Sequence, residues 1–155
     1  MRFEDLEVGQ SAEFTKTVSN KDVELFAEIT GDFNPVHLDE AAAAKSRFGG
    51  RIAHGILTAG LISATLAGKL PGPGSVYLSQ TLRFKGPVRI GDTVTARVEV
   101  TELILPKRRV KLSTACRNQK GEVVVDGEAI VLLPEPVEAE AVKANAGEAT
   151  TAHAK

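Results

Sequence analysis

The chain has no tryptophan, one tyrosine, one cysteine and one methionine in 155 residues. With aromatic residues at only 5 %, it lacks the rings on which nucleic-acid bases stack. It also lacks an excess of either charge. Nineteen Lys and Arg against 20 Asp and Glu leave a formal net charge of -1. A general nucleic-acid binder carries a basic surplus, so no nucleic-acid partner is expected. The lone cysteine, Cys116, cannot close an internal disulfide, which fits a reducing cytoplasm. Cys116 lies in an alternating apolar run and reads as a buried strand residue. The three histidines, His37, His54 and His153, show no zinc-site spacing, so no metal is expected. The longest apolar stretch, Gly55 to Gly68, is interrupted by Thr58, Ser63 and Thr65. It is shorter than the ~20 residues a membrane span needs, so no membrane partner is expected. The opening Met-Arg-Phe-Glu-Asp-Leu-Glu is too acidic and polar for a signal peptide, and a cytoplasmic location follows as the expectation.

What is present suits one soluble domain: hydrophobic residues make up 43 % and charged residues 25 %. Ser11 to Val18 alternates loosely and reads as a first strand. Ser19 with Asp22 forms a capping-box pattern for a helix, with Val23, Phe26, Ala27 and Thr30 on its buried face and Gly31 as its stop. Asp32 to Leu38 reads as a loop, and Asp39 caps a short helix over 40–46. The next helix, about Gly55 to Ala67, is apolar on nearly every side and is expected to be buried all round. Four strands follow: Val76 to Phe84, Thr93 to Glu102, Val110 to Cys116, and Glu122 to Leu133, with a bulge expected at Asp126-Gly127. This order is α+β. An antiparallel sheet wrapped around a central buried helix gives the single hot-dog domain expected over residues 1–134. Residues 135–155 form an Ala/Glu-rich tail without apolar periodicity, expected to be disordered.

Two features carry chemistry. Asp32 and His37 flank the Asn34-Pro35 turn, which can aim both side chains into one cleft. A carboxylate and an imidazole that share a water can deprotonate it and deliver a proton elsewhere. The competing reading is a plain turn. His54-Gly55 opens the apolar helix, whose first amides have no internal partner and carry partial positive charge. Gly55 lets a ligand oxygen come close, and an enolate oxygen suits that place. The competing reading is a simple helix start.

Asp-Phe-Asn-Pro-Val-His-Leu-Asp at 32–39 with Arg51-Ile52-Ala53-His54-Gly55 resembles the hydratase-2 motif of the MaoC-like (R)-specific enoyl-CoA hydratases. The likeness continues through Leu70-Pro71-Gly72, Ser75 to Leu78, Leu82 to Val88 and Gly91-Asp92, and is strongest to the short PhaJ-type form. The resemblance implies an acyl-CoA thioester substrate, a homodimer, and no cofactor, coenzyme A being part of the substrate. It implies Asp32 and His37 as catalytic residues and Asn34, Gly55 and Ser63 as substrate-binding residues. Asn34 would orient the loop, Gly55 N–H would bind the thioester oxygen, and Ser63 would support the catalytic pair. A small packing role serves Ser63 equally. For His54 the two readings are a ring that braces the loop and a satisfied structural histidine, and the second is the better one. Arg83, Lys85, Arg89, Lys107, Arg108, Arg109 and Lys111 are candidates for the CoA phosphates, or a solvated strand face. Leu66 and the last strand are candidates for the acyl tunnel. A hot-dog thioesterase, an acyl-carrier-protein dehydratase and a non-catalytic acyl-CoA-binding module are the rival readings. The dehydratase usually needs a carboxylate on the central helix, and Gly55 to Ala67 has none.

Overall fold

The alternating segments pair into one antiparallel sheet in the computed structural model, which describes residues 1–135. Its strands are β1 (Ser11–Thr17), β2 (Val76–Gln80), β3 (Arg83–Phe84), β4 (Thr93–Ile104), β5 (Arg109–Arg117) and β6 (Val123–Leu132). They run in the order β1-β4-β5-β6-β2, with β3 following β2 along the same side of β6. The period-2 pattern fixes the register. Val94, Ala96, Val98 and Val100 face inward, opposite inward Leu112, Thr114 and Cys116 of β5.

Helix α4 (Gly55–Gly68) lies on that inner face, against β4, β1, β5 and β6. Leu61, Ile62, Thr65 and Leu66 are buried there. This is the expected hot-dog arrangement, with one correction. Ile56, Gly60, Ser63, Ala64 and Ala67 are exposed, so the helix buries one side only within a chain. The sheet curls around half of it, and the helix has almost no polar face to announce which half stays open.

The long strand expected over 76–84 is two strands. The carbonyl of Thr81 folds over Gly127, where an added Cβ would lie 1.8 Å from the Thr81 oxygen. Gly127 therefore marks a close backbone approach, not the expected bulge. The register shift against β5 falls at Cys116/Arg117 instead. The free edge of β2 carries exposed Val76, Tyr77 and Leu78.

A 3-10 turn at Phe3–Asp5 and three α-helices precede α4: α1 (Asn20–Thr30), α2 (Pro35–Leu38) and α3 (Glu40–Ala44). The capping box of α1 is complete. Asp22 N–H donates to Ser19 Oγ at 3.1 Å, and Ser19 N–H donates to Asp22 Oδ2 at 2.8 Å. Val23 and Ala27 are buried as expected, but Thr30 is exposed and its hydroxyl donates to Phe26 O. Gly31 takes φ 78 and reverses the chain. The stretch expected as loop over 32–38 ends in one helical turn, α2, because Pro35 at its first position needs no N–H partner. Residues 136–155, most of the expected tail, lie outside the described residues. No helix among the described residues is long and apolar enough to cross a membrane.

Candidate active site

The loop between α1 and α2 is tied by its own side chains. Asn34 N–H donates to Asp32 Oδ1 at 3.2 Å, and Val36 N–H donates to Asn34 Oδ1 at 3.3 Å. Asn34 is thus the N-cap of α2 and sets the direction of His37. Arg51 adds a tie that the sequence did not reveal. Its Nε donates to His37 O at 2.7 Å, and its terminal nitrogen donates to Asn20 Oδ1 at 2.8 Å, joining α2 to the start of α1.

Two histidines take their orientation from main-chain carbonyls. His37 is 8 % exposed, and its Nδ1 lies 2.8 Å from Ile52 O. A carbonyl only accepts, so Nδ1 carries a proton and Nε2 faces the site. His54 Nε2 lies 3.0 Å from Asp32 O and donates to it. Its Nδ1 is buried without a partner. His54 therefore braces the Asp32–His37 loop, the alternative named for it, and is not a fully satisfied structural residue. The two rings stack at 3.9 Å, and Phe26 covers His54 at 4.7 Å.

One carboxylate oxygen of Asp32 and one ring nitrogen each of His37 and His54 lie within 4.8 Å of one another. That is less than two ordinary hydrogen bonds of ~2.8 Å, so one water can touch both Asp32 and His37. No linear spacing announces this cluster of three side chains.

His37 and Gly55 border a cleft of about 420 Å³, walled by Ile52, Ile56, Phe84 and Val125. Asp32 is exposed and stands beside the cleft, within reach of His37. His54, the N-cap of α4, supplies no side-chain cap, so the first amides of that helix stay unmatched by it. Gly55 has a second requirement: an added Cβ would lie 2.7 Å from Cδ1 and Cε1 of Phe84, whose ring rests on it. Ser63 lies on the exposed side of α4 and makes no hydrogen bond to Asp32 or His37. Leu66 belongs to the closed core, whereas Val125 of β6 does line the cleft.

Most of the basic residues weighed for phosphates are engaged elsewhere. Arg83 pairs with Asp126 at 2.9 Å, Lys111 with Glu128 at 3.0 Å and Arg108 with Glu4. Arg89 donates to Phe48 O and Gly50 O and so supports the strap before α4. Lys85 lines the cleft while pairing with Asp126. Arg47 lines it too, over the Phe48 ring, and was not foreseen. Neither was Thr58, which lines the cleft one turn after Gly55.

Residues 4–124 match the family described as MaoC like domain. Over 138 residues the chain is 58 % identical to a 3-hydroxybutyryl-CoA dehydratase of Methylorubrum extorquens, spanning 89 % of this chain and 87 % of that protein. It is 52 % identical over 132 residues to an (R)-specific enoyl-CoA hydratase of Rhodospirillum rubrum, spanning 85 % and 91 %. The solved (R)-hydratase from A. caviae, involved in PHA biosynthesis, superposes with a TM-score of 0.82 at 49 % identity, over 84 % of this chain and 99 % of that one. The match runs through both the Asp32–His37 loop and the sheet that carries it, and this chain belongs to the MaoC-like family.

Proposed function

We propose that the chain is an (R)-specific enoyl-CoA hydratase, a hydro-lyase that adds water to trans-2-enoyl-CoA and gives (R)-3-hydroxyacyl-CoA. The reverse dehydration uses the same groups. The observation that carries this reading is the placement of the Asp32 carboxylate within 4.8 Å of the imidazole pair, beside a cleft that begins at the amino end of α4. The full relatives at 58 % and 52 % identity, a dehydratase and a hydratase of CoA thioesters, support it.

In the proposed reaction Asp32 takes a proton from the bound water as its hydroxide adds to C3. His37, protonated on both nitrogens, keeps Nδ1–H on Ile52 and delivers the Nε2 proton to C2. One proton exchange between the two residues then restores both. Asn34 holds the loop, and Gly55 N–H receives the thioester oxygen as it gains enolate charge. No cofactor enters this scheme. Ser63 is exposed on α4 and makes no hydrogen bond to the pair within one chain, and no step of this scheme is assigned to it.

We place the catalytic unit in residues 1–134 and the protein in the cytoplasm. We also propose a homodimer: the bare edge of β2, with Val76, Tyr77 and Leu78 exposed, is the kind of edge that a second copy covers. The A. caviae relative supports a role in supplying (R)-3-hydroxyacyl-CoA for polyhydroxyalkanoate.

The test adds purified protein to crotonyl-CoA and follows loss of the enoyl thioester absorbance, then offers the product to an (R)-specific 3-hydroxyacyl-CoA dehydrogenase. Loss of absorbance without thiol release, and oxidation of the product, is the expected result. Thiol release would make the chain a thioesterase. Binding of acyl-CoA without turnover would make it a non-catalytic acyl-CoA-binding module.

A further inference from the structure

Among the described residues, three threonines sit on helices, and two of them behave alike. Thr30 donates its hydroxyl to Phe26 O, and Thr65 donates to Leu61 O at 2.8 Å, each four residues back. Thr58 does not. The carbonyl four residues back, His54 O, receives only the Thr58 N–H, at 3.3 Å. Thr58 is 1 % exposed, and its Oγ1 has no hydrogen-bond partner. A buried hydroxyl without a partner is unfavourable and calls for an explanation. His54 Nδ1, the other buried polar side-chain atom without a partner among the described residues, is an acceptor four residues earlier, and the two have not turned to each other.

The place of Thr58 supplies the explanation. It lines the same cleft as His37 and Gly55. Side chains on a helix lean toward its amino end, so a residue three after Gly55 leans back toward the open amides of the first turn. A hydroxyl there offers a proton to whatever oxygen those amides hold.

We propose that the Thr58 hydroxyl is a second donor to the substrate's thioester oxygen, paired with Gly55 N–H. This rests on the hydratase reading above. The oxygen gains negative charge as water adds to C3, so both donors bind the enolate-like state more strongly than the ground state. The contribution therefore falls on kcat more than on KM. His54 Nδ1 has only a lone pair to offer and cannot serve an oxygen in this way. Thr58 is thus a catalytic residue that the loop motif does not contain.

Thr58→Val removes the hydroxyl and keeps the shape. With crotonyl-CoA its kcat is expected to fall about 10²-fold, the scale of losing one donor to an oxyanion, with KM little changed. Thr58→Ser, which keeps the hydroxyl, recovers most of that loss. Thermal unfolding supplies the second readout. Because the hydroxyl has no partner in the free protein, the Tm of Thr58→Val should be at or above that of the unaltered protein. A kcat within threefold of the unaltered protein overturns the proposal. So does a Tm that drops together with kcat, which would show a structural bond, or a serine variant as slow as the valine one. The same three proteins are titrated with acetoacetyl-CoA, whose enolate absorbs in the ultraviolet. If the unaltered protein fails to hydrate crotonyl-CoA, the hydratase reading falls by itself. The oxygen site then stands only if Thr58→Val reduces the enolate signal, and it falls if the signal is unchanged.

Discussion

The imidazole of His37 is set by a peptide carbonyl, and the carboxylate beside it is held by little else than its own loop. Asp32 is exposed, and its side chain accepts one hydrogen bond, from Asn34 N–H. Its replacement should therefore separate chemistry from folding. We predict that Asp32→Ala lowers turnover of an enoyl-CoA by ~10²–10⁴, the range of one acid–base role, with stability within about 0.5 kcal/mol of the original. Steady-state kinetics and a denaturant titration on one preparation decide it. A collapsed fold would make Asp32 structural. The residues of this loop could be read from the sequence because they are consecutive and Pro35 restricts the turn. Arg51, Thr58 and Phe84 could not. Arg51 and Phe84 reach across distances that only the folded chain closes, Arg51 to His37 O and Phe84 to Gly55. Thr58 and Thr65 of one apolar helix look alike in the sequence, which carries no mark of which hydroxyl is bonded.

At the scale of elements, local chemistry was the most readable part. Ser19, Asp22 and Gly31 bound α1 where their side chains and backbone preferences require. The bond from Ser19 N–H to Asp22, aided by Lys16 at 3.1 Å, holds the Asp22 carboxyl below its usual range. A depressed carboxyl stabilises the fold fully above its unfolded pKa, and that share is lost as pH falls through the lower folded value. Asp22→Asn should therefore be less stable than the original near neutrality, and the gap should narrow as the solution is taken below pH ~4. Urea midpoints measured across that range check the sign; a constant gap would show that the charge is not responsible. The extent of burial of α4 was less readable. Its composition says apolar, and only the reach of the sheet decides that Gly60, Ser63, Ala64 and Ala67 stay open. The break between β2 and β3 was hidden for the same reason, since Gly127 gives way to a carbonyl from another segment.

Over the whole molecule, the alternating strands were legible but their order was not. Alternation says which side chains face the core; it does not say that β1 pairs with β4, far along the chain. Cys116 joins both levels. It is fully buried on the sheet's inner face near the end of β5, and its thiol donates to Thr58 O on α4 at 3.6 Å. Burial pushes the thiol pKa up to about 12. We predict that a thiol reagent leaves the native protein unlabelled at neutral pH and labels one site after denaturation; prompt native labelling would place the sheet and helix further apart than described. The two carbonyl anchors, Ile52 O to His37 and Asp32 O to His54, have a consequence for how such a protein can change. No point mutation deletes a carbonyl oxygen, so the aim of the two rings is protected against most substitutions nearby. Phe48 and Ile56, which line the same cleft, have no such duty to the rings. Inheritance can vary those two walls, and with them the width of the cleft, while the aim of the rings passes on unaltered.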